Sequence, residues 1–172
     1  MVIRKVQVED GVALREYYLA NALHFRQWEP RRENSFHTIE SWYERTTDMV
    51  LNQDQGNSAH FVAEIEGSIV AHCNLNNIVR GVFQACYMGY GVSLEFQGRG
   101  VAREICGTAI NYAFNEMGLH RIMANYMPHN NRSAKLLKRL GFVREGLAKN
   151  YLHINGKWED HVLTSLTNGA YT

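Results

Sequence analysis

The sequence is short of several things that would mark other kinds of protein. Three cysteines, Cys73, Cys86 and Cys106, are too few and too far apart for a disulfide framework, and none belongs to a CxxC pair. They read as small buried apolar residues in a reducing compartment, and no structural zinc site is expected. Two prolines against 14 glycines exclude proline-rich linkers, and there is no repeat or low-complexity segment. No stretch reaches the ~20 apolar residues of a membrane span. Met1-Val2-Ile3-Arg4-Lys5 lacks the apolar centre of a signal peptide. A cytoplasmic protein, complete as given and without membrane contact, is the expectation. An excess of one charge is also missing. Lys and Arg number 18 against 17 Asp and Glu, net +1, which gives no support to general nucleic-acid binding but leaves a local basic patch open. The eight histidines show no HExxH-type spacing, so no catalytic metal is expected.

What is present fits one folded domain over residues 1–172: 45% hydrophobic and 20% charged residues, on a chain long enough to bury a core without staples. Val2 to Val6 suits an edge strand. Asp10 then opens a helix to about Asn21. Residues 25–37 break periodicity with Phe25, Trp28 and three arginines, and read as a loop. A second helix starts at Thr38. Residues 60–65 and 68–75 around Glu66-Gly67 form a hairpin, and Phe83 to Val92 a further strand. A helix from Val101 to Met117 closes at Gly118. Arg121 to Tyr126 is a strand, Asn130 or Asn131 caps a helix to Leu140, and a last hairpin turns at Asn155-Gly156. This order gives an α/β (α+β) fold with a mixed sheet.

The chemistry-bearing segment is Val92-Ser93-Leu94-Glu95-Phe96-Gln97-Gly98-Arg99-Gly100-Val101-Ala102, a strand that passes through glycines into a helix. Glycines let successive N–H groups point into one concavity, and the helix start adds unpaired N–H groups and the positive end of its dipole. Such a segment binds phosphate, or is an ordinary turn before a helix. The Gly-Lys-Ser/Thr ending of a Walker loop is absent, and Arg103 stands where a dinucleotide fingerprint needs its third glycine. A diphosphate site of another kind remains.

Gln97-Gly98-Arg99-Gly100-Val101-Ala102 resembles the Gln/Arg-x-x-Gly-x-Gly/Ala signature of the GCN-five-related N-acetyltransferases. Asn130-Asn131-Arg132-Ser133, followed by Leu140-Gly141-Phe142, is similar to a second landmark of that family, and the order of elements matches over nearly the whole chain. Trp28-Glu29-Pro30, the run from Ala85 to Tyr90, the run from His120 to Asn130 and the segment from Tyr151 to Leu163 resemble its bacterial ribosomal-protein-alanine subgroup. The resemblance implies a mixed, mostly antiparallel sheet of six to seven strands flanked by about four helices. It implies acetyl-CoA as cosubstrate, with its pyrophosphate on Gln97, Gly98, Arg99, Gly100, Val101 and Ala102. Val92 and Leu94 would meet the pantetheine arm, and Asn130 either bonds that arm or only caps its helix. The implied acceptor is the N-terminal alanine of a small-subunit ribosomal protein, free or on the subunit, with contact to its RNA left open.

Transfer from a thioester to an α-amine of pKa about 8 needs positioning more than a strong base. A proton must still leave the amine, an oxyanion must be stabilised and a thiolate must depart. The resemblance gives the oxyanion to a backbone N–H near Val92. Many relatives carry a tyrosine as acid where Leu137 stands here, so Ser133 takes that role by resemblance, or only caps its helix. For the base, Glu64 is a candidate beside Glu29, Tyr87, His72 and Asp160, and no spacing singles one out. A small-amine acetyltransferase and a non-catalytic cofactor-binding partner of the ribosome remain alternatives.

Overall fold

The computed structural model describes residues 1–171. Seven strands form one sheet in the order β1-β2-β3-β4-β5-β7-β6. They are β1 (Val2–Lys5), β2 (Ala59–Ile65), β3 (Ser68–Val79), β4 (Ala85–Val92), β5 (Arg121–Met123), β6 (Val143–Ile154) and β7 (Lys157–Thr167). All neighbours pair antiparallel except β4 with β5. The helices are α1 (Gly11–Ala20), α2 (Ala22–Phe25), α3 (Ile39–Asp54), α4 (Val101–Asn111) and α5 (Asn131–Arg139). The expected fold class and strand count agree with this. The fifth helix is the single turn of α2, which ends at Phe25, where the stretch read as aperiodic begins.

Local sequence explains most boundaries. Glu66-Gly67 and Asn155-Gly156 both turn with positive φ at each residue, 51° and 78° in the first and 45° and 83° in the second, the backbone that two-residue hairpins require. Thr38 Oγ1 accepts the Ser41 N–H at 3.2 Å and starts α3. Asp10 does not cap α1 through its side chain. Its carboxylate instead takes the Gln7 N–H and the Arg4 guanidinium, which fixes β1 to the helix start. The helix expected to reach Met117 is α-helical only to Asn111 and ends in a wide π turn over Tyr112–Glu116. The expected strand Arg121–Tyr126 stops at Met123, and Tyr126 meets the sheet only by one bridge to Val162.

Helices cover both faces of the sheet, so the middle of β3 is buried continuously from Ile69 to Cys73. On one face α4 lays Val101, Ile105, Cys106 and Ala109 against Phe61, Cys73, Leu75 and Met88. On the other, Leu14, Tyr17, Phe25 and Trp42 pack on Val62. Gly91 lies under that second layer. A Cβ there would stand 3.1 Å from the Tyr17 hydroxyl and 3.5 Å from the Phe25 ring, so only glycine lets α1 and α2 settle so close to β4. Among the described residues no helix is long and apolar enough to cross a membrane.

Candidate active site

The sheet opens where its parallel pair ends. β4 and β5 pair over Ala85↔Arg121, Cys86↔Ile122 and Tyr87↔Met123 and then separate, leaving Met88 to Val92 with β3 as their only partner. The backbone parity of β4 is fixed on both sides. The Ser93 N–H donates to Val70 O on β3, and the Gln84 carbonyl accepts from His120 and Arg121 on the β5 side. N–H groups alternate along a strand, so those of Val92, Tyr90 and Met88 point into the opening. The result is a wedge between β4 and β5 with unpaired donors on one wall.

At the mouth of the wedge the chain turns into α4. Gly98 and Gly100 have φ of 75° and 87°, a backbone that side chains other than glycine's rarely adopt. A Cβ on either would meet nothing within 4 Å, so this is open concave backbone. Gly100 is the N-cap residue, and no side chain caps α4. Its first N–H groups and the positive end of the dipole are free for an anion. Gln97 Oε1 is buried and has no partner among the described residues, while Gln97 Nε2 lies 2.5 Å from His24 Nε2 on α2. Arg99 extends over the Phe96 ring. These features fit a diphosphate: a glycine cradle, an uncapped helix start, an orphaned amide oxygen and a nearby arginine. Leu94 enters differently from expectation. Its N–H is already taken by Asn21 Oδ1 at 3.0 Å, and its side chain is exposed. Asn21, a buried residue the sequence reading passed over, also donates to Ser93 Oγ and Tyr17 O, and so fixes the strand-to-loop exit.

Ser133 and Asn130 lie at the start of α5. Asn130 Oδ1 accepts the Ser133 N–H at 3.1 Å, so Asn130 is the cap and its amide nitrogen is what remains for other partners. The Ser133 side chain lies close to the Tyr90 hydroxyl. Burial pushes the Tyr90 hydroxyl well up, and Ser133 opposes that shift. Among the described residues the Tyr90 hydroxyl has no well-directed hydrogen bond. The sequence gives Tyr90 no role beyond its strand, although it shares the parity of Val92 two residues on. Leu137 lies in the core at 1% exposure.

The five candidate bases separate. Glu64 is not brought to the wedge: it sits on β2, opposite Val2 of the outer strand, and pairs with Arg4 at 3.0 Å. Asp160 is bound to Lys149 and the Asn150 N–H on the last hairpin, which hold its carboxyl below the ordinary range. His72 is buried, and desolvation pushes it down to about 3; its Nδ1 is 3.5 Å from the Tyr18 hydroxyl. Tyr87 approaches the Tyr151 hydroxyl at 3.5 Å. Glu29 lines a cavity of about 360 Å³ with Tyr18, Phe25, Phe36 and Asn155. Burial lifts its carboxyl above the usual carboxylate range, against the pull of Arg32 at 3.7 Å.

That cavity lies beneath residues 26–37, which are pinned on both flanks. The Asn155 N–H at the tip of the β6–β7 hairpin donates to Glu29 O at 3.1 Å. The Trp28 ring stacks on His129, just before α5, at 5.3 Å. The segment read as a loop is therefore a strap joining α2 to the far wall of the wedge.

Comparison with known proteins gives this arrangement a family. A model of the acetyltransferase (GNAT) domain matches residues 1–143. The [Ribosomal protein uS5]-alanine N-acetyltransferase of Escherichia coli (strain K12) is 42% identical over 174 aligned positions, which cover 100% of this chain and 90% of that protein. The crystal structure of ribosomal-protein-S5-alanine acetyltransferase from Vibrio fischeri superposes with a TM-score of 0.95 at 40% identity, covering 99% of this chain and 94% of that one. Mycobacterium smegmatis RimJ in complex with CoA-disulfide superposes with a TM-score of 0.91 at 30% identity, covering 98% and 82%. With an opened β4–β5 pair, a glycine cradle on α4 and agreement over its full length, the chain belongs to the GNAT family of N-acetyltransferases.

Proposed function

We propose that this chain transfers the acetyl group of acetyl-CoA to the α-amine of an N-terminal alanine on a small-subunit ribosomal protein, as one catalytic domain acting in the cytoplasm. The observation that supports this most is its similarity, over its whole length, to proteins named for that reaction. Bound acetyl-CoA supplies the thioester carbonyl that the amine attacks. Gln97 to Ala102 hold its pyrophosphate with backbone N–H groups and the α4 dipole, while Arg99 adds charge. The Val92 N–H, aimed into the wedge, donates to the carbonyl oxygen as negative charge develops there. The Asn130 amide nitrogen is the donor left over for the pantetheine arm. Ser133, beside the Tyr90 hydroxyl, donates a hydrogen bond to the departing sulfur.

Glu29 replaces Glu64 as the proposed proton acceptor. It is the candidate carboxylate that lines the cavity on the α1 side of the sheet, and its raised affinity for a proton suits removal of one from an ammonium. The reading is tested by mass spectrometry of an alanine-starting peptide from the small-subunit protein after incubation with enzyme and acetyl-CoA, the peptide also carrying a lysine. Acetylation at the α-amine alone is the expected result. Acetylation of the lysine, or of a polyamine in preference to the peptide, overturns it.

A further inference from the structure

The strap over the cavity carries charge that the transfer reaction does not use. Arg32 is 3.7 Å from Glu29 and lies over the Phe36 ring. Arg45 is over the same ring, and Arg15 donates to His37 O. Arg26 and Arg31 are exposed, and among the described residues their side chains form no hydrogen bond or ion pair. Both line the cavity that contains Glu29, and Glu33, the other acid of the strap, does not. The chain as a whole carries a net charge of only +1, so this excess is local. The site is dipolar: one half-buried carboxylate inside and two unpartnered guanidinium groups at the rim.

We infer that Arg26 and Arg31 read an acidic side chain close behind the acceptor's α-amine, so that this enzyme prefers N-terminal segments with Asp or Glu within their first four residues. The inference rests on the reading of the acceptor as a protein N-terminus. An extended chain advances about 3.3 Å per residue. With the amine directed toward Glu29, the second to fourth residues leave the cavity past Arg26 and Arg31, exposed residues of the same lining. A carboxylate there meets planar donors in the geometry guanidinium favours, and a lysine there meets two like charges. The rim thus acts on binding and on exclusion of basic N-termini, while the chemistry stays with the wedge.

Three alanine-starting peptides that differ only in Glu, Gln or Lys at the third position test this, each assayed for kcat and KM with the full chain. The expected order is Glu above Gln above Lys, with roughly fivefold in kcat/KM between neighbours, carried by KM and weakened by salt. In an Arg26→Glu, Arg31→Glu double variant the order inverts and kcat on the Gln peptide is retained. Equal kcat/KM on all three peptides overturns the inference, and so does a double variant that loses the same factor on each. Arginine dependence seen only with intact small subunits also overturns it, and assigns the rim to RNA. If no peptide is acetylated at its α-amine while another amine is, the acceptor reading itself has failed, which is distinct from acetylation without charge preference.

Discussion

Ser133 faces two demands at the first turn of α5. Its N–H is spent on Asn130, which caps the helix, and its hydroxyl is left beside the buried Tyr90 hydroxyl. Replacing Ser133 with Ala therefore leaves the helix cap intact and removes the polar group next to Tyr90. The expected outcome is a kcat about 10- to 100-fold lower with the dissociation constant for CoA unchanged, read by thiol release and calorimetry. Full activity would exclude the hydroxyl from the departing-group side. Glu29→Gln tests the other proton. A base works only when deprotonated, so the acid limb of kcat/KM in the wild type falls as pH drops through the raised pKa of Glu29. The variant should lose about 100-fold in kcat/KM at neutral pH and also lose that limb. A variant with the same limb at lower activity would show that Glu29 only shapes the cavity. The reason sequence favoured neither Glu29 nor Tyr90 is physical. Glu29 gains its proton affinity from burial under a strap pinned to Asn155 and His129, contacts separated from it by a hundred residues or more, and no local spacing records them.

At the scale of elements, α4 and its approach were the most legible part of the chain, because the constraint is local. A left-handed backbone at Gly98 and Gly100 and an uncapped helix start are properties of adjacent residues. The hairpin turns at Glu66-Gly67 and Asn155-Gly156 were legible for the same reason. The wedge was not, because it comes from β5 ending at Met123, where Thr164 bonds the Ala124 carbonyl and Asn125 Oδ1 accepts the Thr164 N–H. Glu64 was misplaced on similar grounds: only strand order puts β2 two positions from β4. Two glycines of one helix give a matched test. Gly100→Ala forces a Cβ onto φ 87° with nothing to clash against, so the cost is backbone strain of about 1–2 kcal/mol plus distortion of the phosphate cradle. CoA affinity should fall at least tenfold. Gly107→Ala, inside α4 and also free of contacts within 4 Å, should instead stabilise by about 0.5–1 kcal/mol and leave CoA affinity alone. Thermal unfolding and CoA titration of the two variants separate cradle geometry from helix propensity.

The whole molecule carries a dependence on pH that belongs to its core rather than its site. His60 and His72 come from neighbouring strands, their rings stack 5.7 Å apart, and both are buried on the α1 side of the sheet. Desolvation pushes His60 down to about 4 and His72 down to about 3, the latter also by His60 itself. In the unfolded chain each imidazole takes its proton near pH 6.5. Between about pH 6.5 and 4 the unfolded state therefore binds protons that the native state refuses, and stability falls as the solution is acidified. The slope is about 1.4 kcal/mol per pH unit for each imidazole. Two such groups acting over this window are large against a total stability of about 5–15 kcal/mol. Asp10, whose carboxyl is lowered from 3.8 by the Arg4 and Gln7 bonds against the effect of burial, loses its contribution only at still lower pH. Glu29 acts in the opposite sense, because its raised pKa favours the folded state on acidification, but by one proton at most. Urea midpoints from pH 7 to pH 4 should therefore decline steeply in the wild type, and about half as steeply in His60→Gln. An unchanged slope in that variant would mean that the buried pair is not what titrates. The stacked histidines adjoin Tyr18, which lines the same cavity as Glu29, so loss of the core on acidification would also carry away the wall against which Glu29 is held.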